Sequence, residues 1–215
     1  CGDDTTINLW NLTTKRLSRS FREHTSNVLS LAVTPDGQIL VSGALDGIRL
    51  WRLDQQRPFY TLVRLDNLIH SVAISPDGQL LASGDDRGAI KLWSLKTYQL
   101  IRTVVGHSGT VSTLAFTPDS KSLISGSYDR TIKLWNASTG GLVRTLTGHT
   151  DWVNAVAINP DGDTLASGGK DGIKLWQFSS GELINTLTAH SDWVSAIAFS
   201  PDGQRVLTAG SDSSG

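Results

Sequence analysis

Histidine, serine and aspartate are the residue types of a nucleophilic hydrolase, and here they recur together. His107, Ser125 and Asp129 form one set, His24, Ser42 and Asp46 a second, and His149, Ser167 and Asp171 a third. In a hydrolase the imidazole takes the serine proton and the carboxylate orients the imidazole. One such set would read as an active site. Repetition along the chain would demand several equivalent active sites, and no Gly-x-Ser-x-Gly elbow presents any of these serines.

Other chemistry fits less well. The sequence has no phosphate-binding P-loop, no Gly-x-Gly-x-x-Gly after a strand and no Cys/His cluster with zinc spacing, so no cofactor or metal is expected. Asp3-Asp4 and Asp85-Asp86 sit in tight turns, with too few oxygen ligands for a calcium loop. The net charge is −1, which excludes a basic nucleic-acid footprint and a polybasic membrane tether. No apolar run approaches the roughly 20 residues of a membrane span. The sequons at Asn11 and Asn136 matter only in a secreted protein, which nothing in the sequence supports. The single cysteine, Cys1, excludes an internal disulfide. It lies inside a repeat rather than ahead of one, which reads as a fragment boundary rather than a lipidated N-terminus. Without a signal, a span or a disulfide, the cytoplasm is the default location.

The elements that position these side chains are periodic. Trp10, Trp51, Trp93, Trp135 and Trp176 follow one another at intervals of 41, 42, 42 and 41 residues. Pro-Asp-Gly recurs at Pro35, Pro76, Pro160 and Pro201, and as Pro-Asp-Ser at Pro118. His24, His107, His149 and His190 each stand eleven residues before one of these prolines. Each unit holds four short runs rich in Val, Ile, Leu and Thr, separated by turn residues, and none sustains a helical apolar period. The chain is therefore read as all-β. A four-stranded sheet apolar on both faces must stack on copies of itself, and radial stacking gives a propeller. The low charged content, 18%, agrees with sheet faces hidden between neighbours. The cations before each tryptophan (Arg49, Lys91, Lys133 and Lys174) are read as a solvated edge.

These markers resemble the WD-repeat (WD40) family over essentially the whole chain. One unit carries Gly148-His149, Pro160-Asp161-Gly162, Ser167-Gly168, Asp171 and Trp176, and the preceding unit carries Gly106-His107, Pro118-Asp119, Ser125-Gly126, Asp129 and Trp135. The literal Trp-Asp pair never occurs, and Leu65 stands where the second unit should have its histidine, with His70 five residues too late to replace it. The resemblance implies that His, Ser or Thr, Asp and Trp form a buried hydrogen-bonded tetrad in each blade, a structural rather than a catalytic set. The tetrads would be His24, Ser42, Asp46 and Trp51; His107, Ser125, Asp129 and Trp135; and His149, Ser167, Asp171 and Trp176. Ser83, Asp86 and Trp93 would form a reduced set, making that blade the softest, and His190, Thr208 and Asp212 part of a last one.

The resemblance also implies a single domain, 1–215: a half-blade at 1–22, blades at about 23–64, 65–105, 106–147 and 148–188, and a half-blade at 189–215. The half-blades either pair to close a five-bladed ring, leave an open arc, or recruit strands from a second copy. Family members bind proteins or peptides on the face carrying the loops into the innermost strands. In this sequence that face takes Asn27, Leu68, Thr110, Trp152 and Trp193, then Leu45, Asp85, Tyr128 and Lys170, with His70, Asn154 and Ser195 beside them. Trp152 and Trp193 lie outside the blade-closing series and are candidate hot spots, unless each ring merely covers its own blade. The expected function is a non-catalytic protein-interaction scaffold. The alternative is a regulatory or accessory piece of a larger protein whose activity lies elsewhere.

Overall fold

The computed structural model describes residues 4–55, 57–63, 68–188 and 190–212. Leu65, Cys1 and Asp3 lie outside them. Twenty strands follow one another without a helix among these residues. β1 (Ile7–Asn11) and β2 (Arg16–Phe21) form a two-stranded sheet. The first complete blade is β3 (Val28–Val33), β4 (Ile39–Ala44), β5 (Gly47–Arg52) and β6 (Pro58–Val63). The second is β7 (Ile69–Ile74), β8 (Leu80–Asp85), β9 (Ala89–Ser94) and β10 (Leu100–Val105). The third is β11 (Val111–Phe116), β12 (Ser122–Ser127), β13 (Ile132–Asn136) and β14 (Leu142–Leu146). The fourth is β15 (Val153–Ile158), β16 (Thr164–Gly169), β17 (Gly172–Gln177) and β18 (Leu183–Leu187). β19 (Val194–Phe199) and β20 (Val206–Gly210) form a second two-stranded sheet. All pairings are antiparallel between sequence neighbours.

The half-blades thus remain two separate sheets and are not joined into a fifth blade. First strands stack on one another in succession, β3 on β7, β7 on β11, β11 on β15 and β15 on β19. Four such steps leave the second half-blade on the fourth blade, while β1 and β2 pack on the first.

The turn between first and second strands is locked by side chains. The Thr34 hydroxyl donates to Asp36, and that carboxylate accepts the Gln38 N–H while Thr34 Oγ1 accepts the Ile39 N–H. Ser75 with Asp77, Thr117 with Asp119 and Ser200 with Asp202 repeat the device. Gly37 takes φ +69° there, a left-handed conformation glycine adopts without steric cost.

The hydrophobic core lies between blades rather than within them. Val41, Ile48 and Leu50 of the first blade share a cluster with Ile69, Val72, Leu81 and Trp93 of the second. Ile90 and Leu92 then meet Val111, Leu114 and Trp135, and Ile132 and Leu134 meet Val153, Val156 and Trp176. Gly84 permits one such approach, because a Cβ there would lie 2.5 Å from Val111 Cγ1.

One irregularity bears directly on the site. In every first strand the pairing skips the second residue: between Val28 and Ser30, Ile69 and Ser71, Val111 and Thr113, Val153 and Ala155, Val194 and Ala196. A β-bulge re-aims the side chain of its extra residue. The residues so placed are Leu29, His70, Ser112, Asn154 and Ser195.

Candidate binding face and the polar braces beneath it

The repeated His, Ser and Asp come together as connected sets. His107 Nε2 lies 2.7 Å from Ser125 Oγ and its Nδ1 2.8 Å from Asp129, while Trp135 Nε1 donates to the same hydroxyl oxygen at 2.8 Å. His149 with Ser167, Asp171 and Trp176 gives 2.7, 2.6 and 2.8 Å, and His24 with Ser42, Asp46 and Trp51 gives 2.6, 2.5 and 2.8 Å. For His107 and His149 this network assigns the neutral Nδ1–H tautomer: Nδ1–H donates to the carboxylate and Nε2 accepts from the hydroxyl. Ser42, Ser125 and Ser167 are 0% exposed. A hydroxyl with no accessible surface, already accepting an indole N–H, cannot meet a substrate.

Burial pushes His24, His107 and His149 below the ordinary histidine pKa, against the pull of their aspartates. Burial by itself would raise Asp46, but the Thr25 N–H, His24 and Arg49 outweigh it and lower the carboxyl to about 2. Asp129 and Asp171 are lowered in the same way, with hydrogen bonds outweighing burial.

Two sequence assignments change. Asp86 is not the second blade's counterpart of Asp129. Ile69 pairs with Asp85 as Val111 pairs with Ser127, and the Asp86 N–H donates to Leu68 O as the Tyr128 N–H donates to Thr110 O. Arg87 therefore occupies the tetrad-aspartate position, and Asp86 takes the face position assigned to Asp85. Asp85 is buried, its Oδ1 accepting the N–H groups of Arg87 and Ala89. The shift arose because Asp85-Asp86 offered two carboxylates one and two residues early. Of that blade's set, Ser83 and Trp93 do meet, at 3.1 Å.

The cations before tryptophan are not a uniformly solvated edge. Arg49 Nη1 lies 2.8 Å from Asp46 and Lys174 Nζ 3.3 Å from Asp171, with all four side chains at most 15% exposed. The signal was available: these two cations fall three residues after the aspartate, Lys133 four after Asp129.

Above the braces, three aromatic rings from successive blades stack. Tyr128 lies on Trp152 at 4.3 Å and 14°, and Trp152 on Trp193 at 5.5 Å and 26°. Lys170 Nζ sits 5.7 Å from the Trp193 ring centroid and 3.7 Å from Asp192. His70 meets Tyr128 edge-on. These aromatics, His70 and the bulge residues Ser112, Asn154 and Ser195 line one cavity of about 250 Å³. Burial holds the His70 pKa down, against Asp86 and Asp85, so the ring is neutral near pH 7. Trp152 and Trp193 are each 39% exposed, so neither ring is simply folded into its own blade. Asn27, Leu45 and Leu68 stand outside that cavity: Asn27 O accepts the Leu45 N–H, and exposed Leu68 donates its N–H to Asp86.

The family described as WD domain, G-beta repeat matches residues 15–52, 59–94, 98–136, 140–177 and 181–214. The chain belongs to the WD40 repeat family. WD40 domains generally serve as protein-interaction scaffolds and are typically not catalytic. A comparison with curated proteins finds no match. Among the described residues no cluster of His, Cys, Asp and Glu could hold a metal ion, and no helix is long and apolar enough to cross a membrane. In these WD40 blades the side-chain tetrads fix the loops, and the loops present the aromatic tier.

Proposed function

We propose that this WD40 chain is a non-catalytic scaffold, one domain over 1–215, that binds a protein or peptide on the face carrying Tyr128, Trp152 and Trp193. The observation that carries this reading is the stacked aromatic tier itself: three large rings from three blades, partly exposed, beside a cavity with a polar floor. Aromatic side chains at the centre of a surface patch bring large contact area with little rotamer entropy to lose. The rings also hold each other in place before a partner arrives, which lowers the ordering cost of binding. The buried serines argue against a hydrolase for the reason of access given above.

Selection of a displayed peptide library on the immobilised chain tests the reading. Peptides captured by the wild type should be lost from the Trp152→Ala, Trp193→Ala double variant while its thermal melting stays cooperative. Capture unchanged alongside a lowered melting temperature would make the rings packing residues and end the proposal.

A further inference from the structure

A cavity of about 530 Å³ lies between the second and third blades, inside the array. It opens at the end of the blades that carries the Pro-Asp turns, away from the aromatic tier. Its apolar lining is Leu80, Leu92 and Ile101 from the second blade and Ala137 from the third. Leu92 and Ala137 are buried, but Ile101 is 50% exposed. The reason for this uncovered aliphatic surface is in the sequence of the third blade.

Two positions after each blade-closing tryptophan decide how a junction is filled. The backbone N–H at the first of them donates across the blade: Leu95 to Gln79 O, Ala137 to Lys121 O and Phe178 to Asp163 O. The second ends a tight turn in the left-handed conformation, with Tyr98 donating to Ser94 O, Gly140 to Asn136 O and Gly181 to Gln177 O. Between the first and second blades, Leu95 is buried with Ile39 and Phe59 packed around its cluster, and Tyr98 meets Phe59 edge-on at 5.5 Å. Between the third and fourth blades, Phe178 packs on the shared core. The third blade places Ala137 and Gly140 at these same positions. Ile101 and Phe59 are equivalent, each being the residue skipped in the pairing of a fourth strand, yet only Phe59 has a ring laid against it. Arg102 packs on Gly140 and does not line the cavity.

The rim of the cavity is acidic. Asp77 and Asp119 come from the two blades, and Lys121 pairs with Asp119 at 3.8 Å in an exposed contact of little strength. Asp77 Oδ1 accepts the Ser75 hydroxyl and the Gln79 N–H, and among the described residues no cation pairs with that carboxylate. We propose that this cavity is a second binding site, taking a partner peptide that carries an aromatic side chain next to a lysine or arginine. The ring enters above Ala137 and covers Leu80, Leu92 and Ile101, as Leu95 and Tyr98 cover the preceding junction. The neighbouring cation meets Asp77 at the rim. An aromatic anchor seated in a pocket carries most of the energy of such a contact, and complementary charge sets its orientation and the choice of partner. The cavity shares no lining residue with the one beside the aromatic tier, so this site stands whether or not that tier binds a partner.

Titration of the isotope-labelled chain with the peptide acetyl-Gly-Phe-Lys-Gly-amide, followed by NMR, tests this. The amide signals of Gln79, Ser120, Lys121 and Ser138 should move progressively and saturate, with those of Tyr128, Trp152 and Trp193 unmoved. Ala137→Leu restores the side chain of Leu95 and should weaken binding by about tenfold, with the melting temperature unchanged or raised. Asp77→Asn keeps the acceptor oxygen of the turn and should weaken binding less, as should glutamate in place of the lysine of the peptide. Signals that stay still up to millimolar peptide would overturn the proposal. So would equal binding by the wild type and Ala137→Leu, or shifts confined to the aromatic tier.

Discussion

Removing the hydroxyl of Ser125 leaves two buried groups without a partner, His107 Nε2 and the Trp135 indole N–H. Each orphaned group costs about 1–3 kcal/mol, so Ser125→Ala should be strongly destabilising in urea denaturation. Ser83→Ala should cost about half as much, because only the Trp93 indole depends on that hydroxyl. Equal losses would mean that the hydrogen bonds do not act as a connected brace. Acid acts on the same residues. Because His24, His107 and His149 have folded pKa values below the unfolded one, the unfolded chain binds more protons as pH falls below about 6.5, and stability falls with it. Asp46 has the complementary sign: its lowered pKa stabilises the fold above about pH 4, and that contribution disappears as pH falls toward about 2. Thermal melts should therefore show the melting temperature declining from neutral pH to about pH 5, before the carboxylates titrate. A flat profile over that range contradicts the burial of the imidazoles. Three of these braces were legible in the sequence because their spacing repeats. Arg87 was misread because the adjacent Asp85-Asp86 pair supplied the expected residue type at the wrong register.

At the scale of elements, the blade is a strand set that borrows its core from the next one. Gly84→Ala should lower unfolding free energy by about 1–3 kcal/mol, since its methyl would press on Val111 and force two blades apart. Equilibrium denaturation with an unchanged free energy would show that the step between blades is slack. Strand order was legible because Pro-Asp-Gly turns and apolar runs announce each hairpin. The bulges were not, since the skipped residues Leu29, His70, Ser112, Asn154 and Ser195 range from leucine to histidine, serine and asparagine, with no one type at all five positions. Their common property is a position in the ladder, which only the paired register reveals. These bulges nevertheless place four of the cavity's side chains.

At the scale of the molecule, buried polar braces anchor the loops, stacked blades set the loops side by side, and the loops assemble an aromatic face. The candidate face was partly legible: Trp152 and Trp193 stood outside the tryptophan period, but their stacking with Tyr128 depends on the packing of separate blades. Joining of the half-blades was an open question in the sequence, because pairing preferences do not fix how far four inter-blade steps turn. The most direct test of the scaffold account is hydrogen exchange on the chain alone and with a captured peptide. The account predicts added protection around Thr110, Tyr128, Trp152 and Trp193, with the Pro-Asp-Gly turns at Pro35, Pro76 and Pro160 unchanged. Protection gained at those turns, with the aromatic loops unaffected, would contradict it.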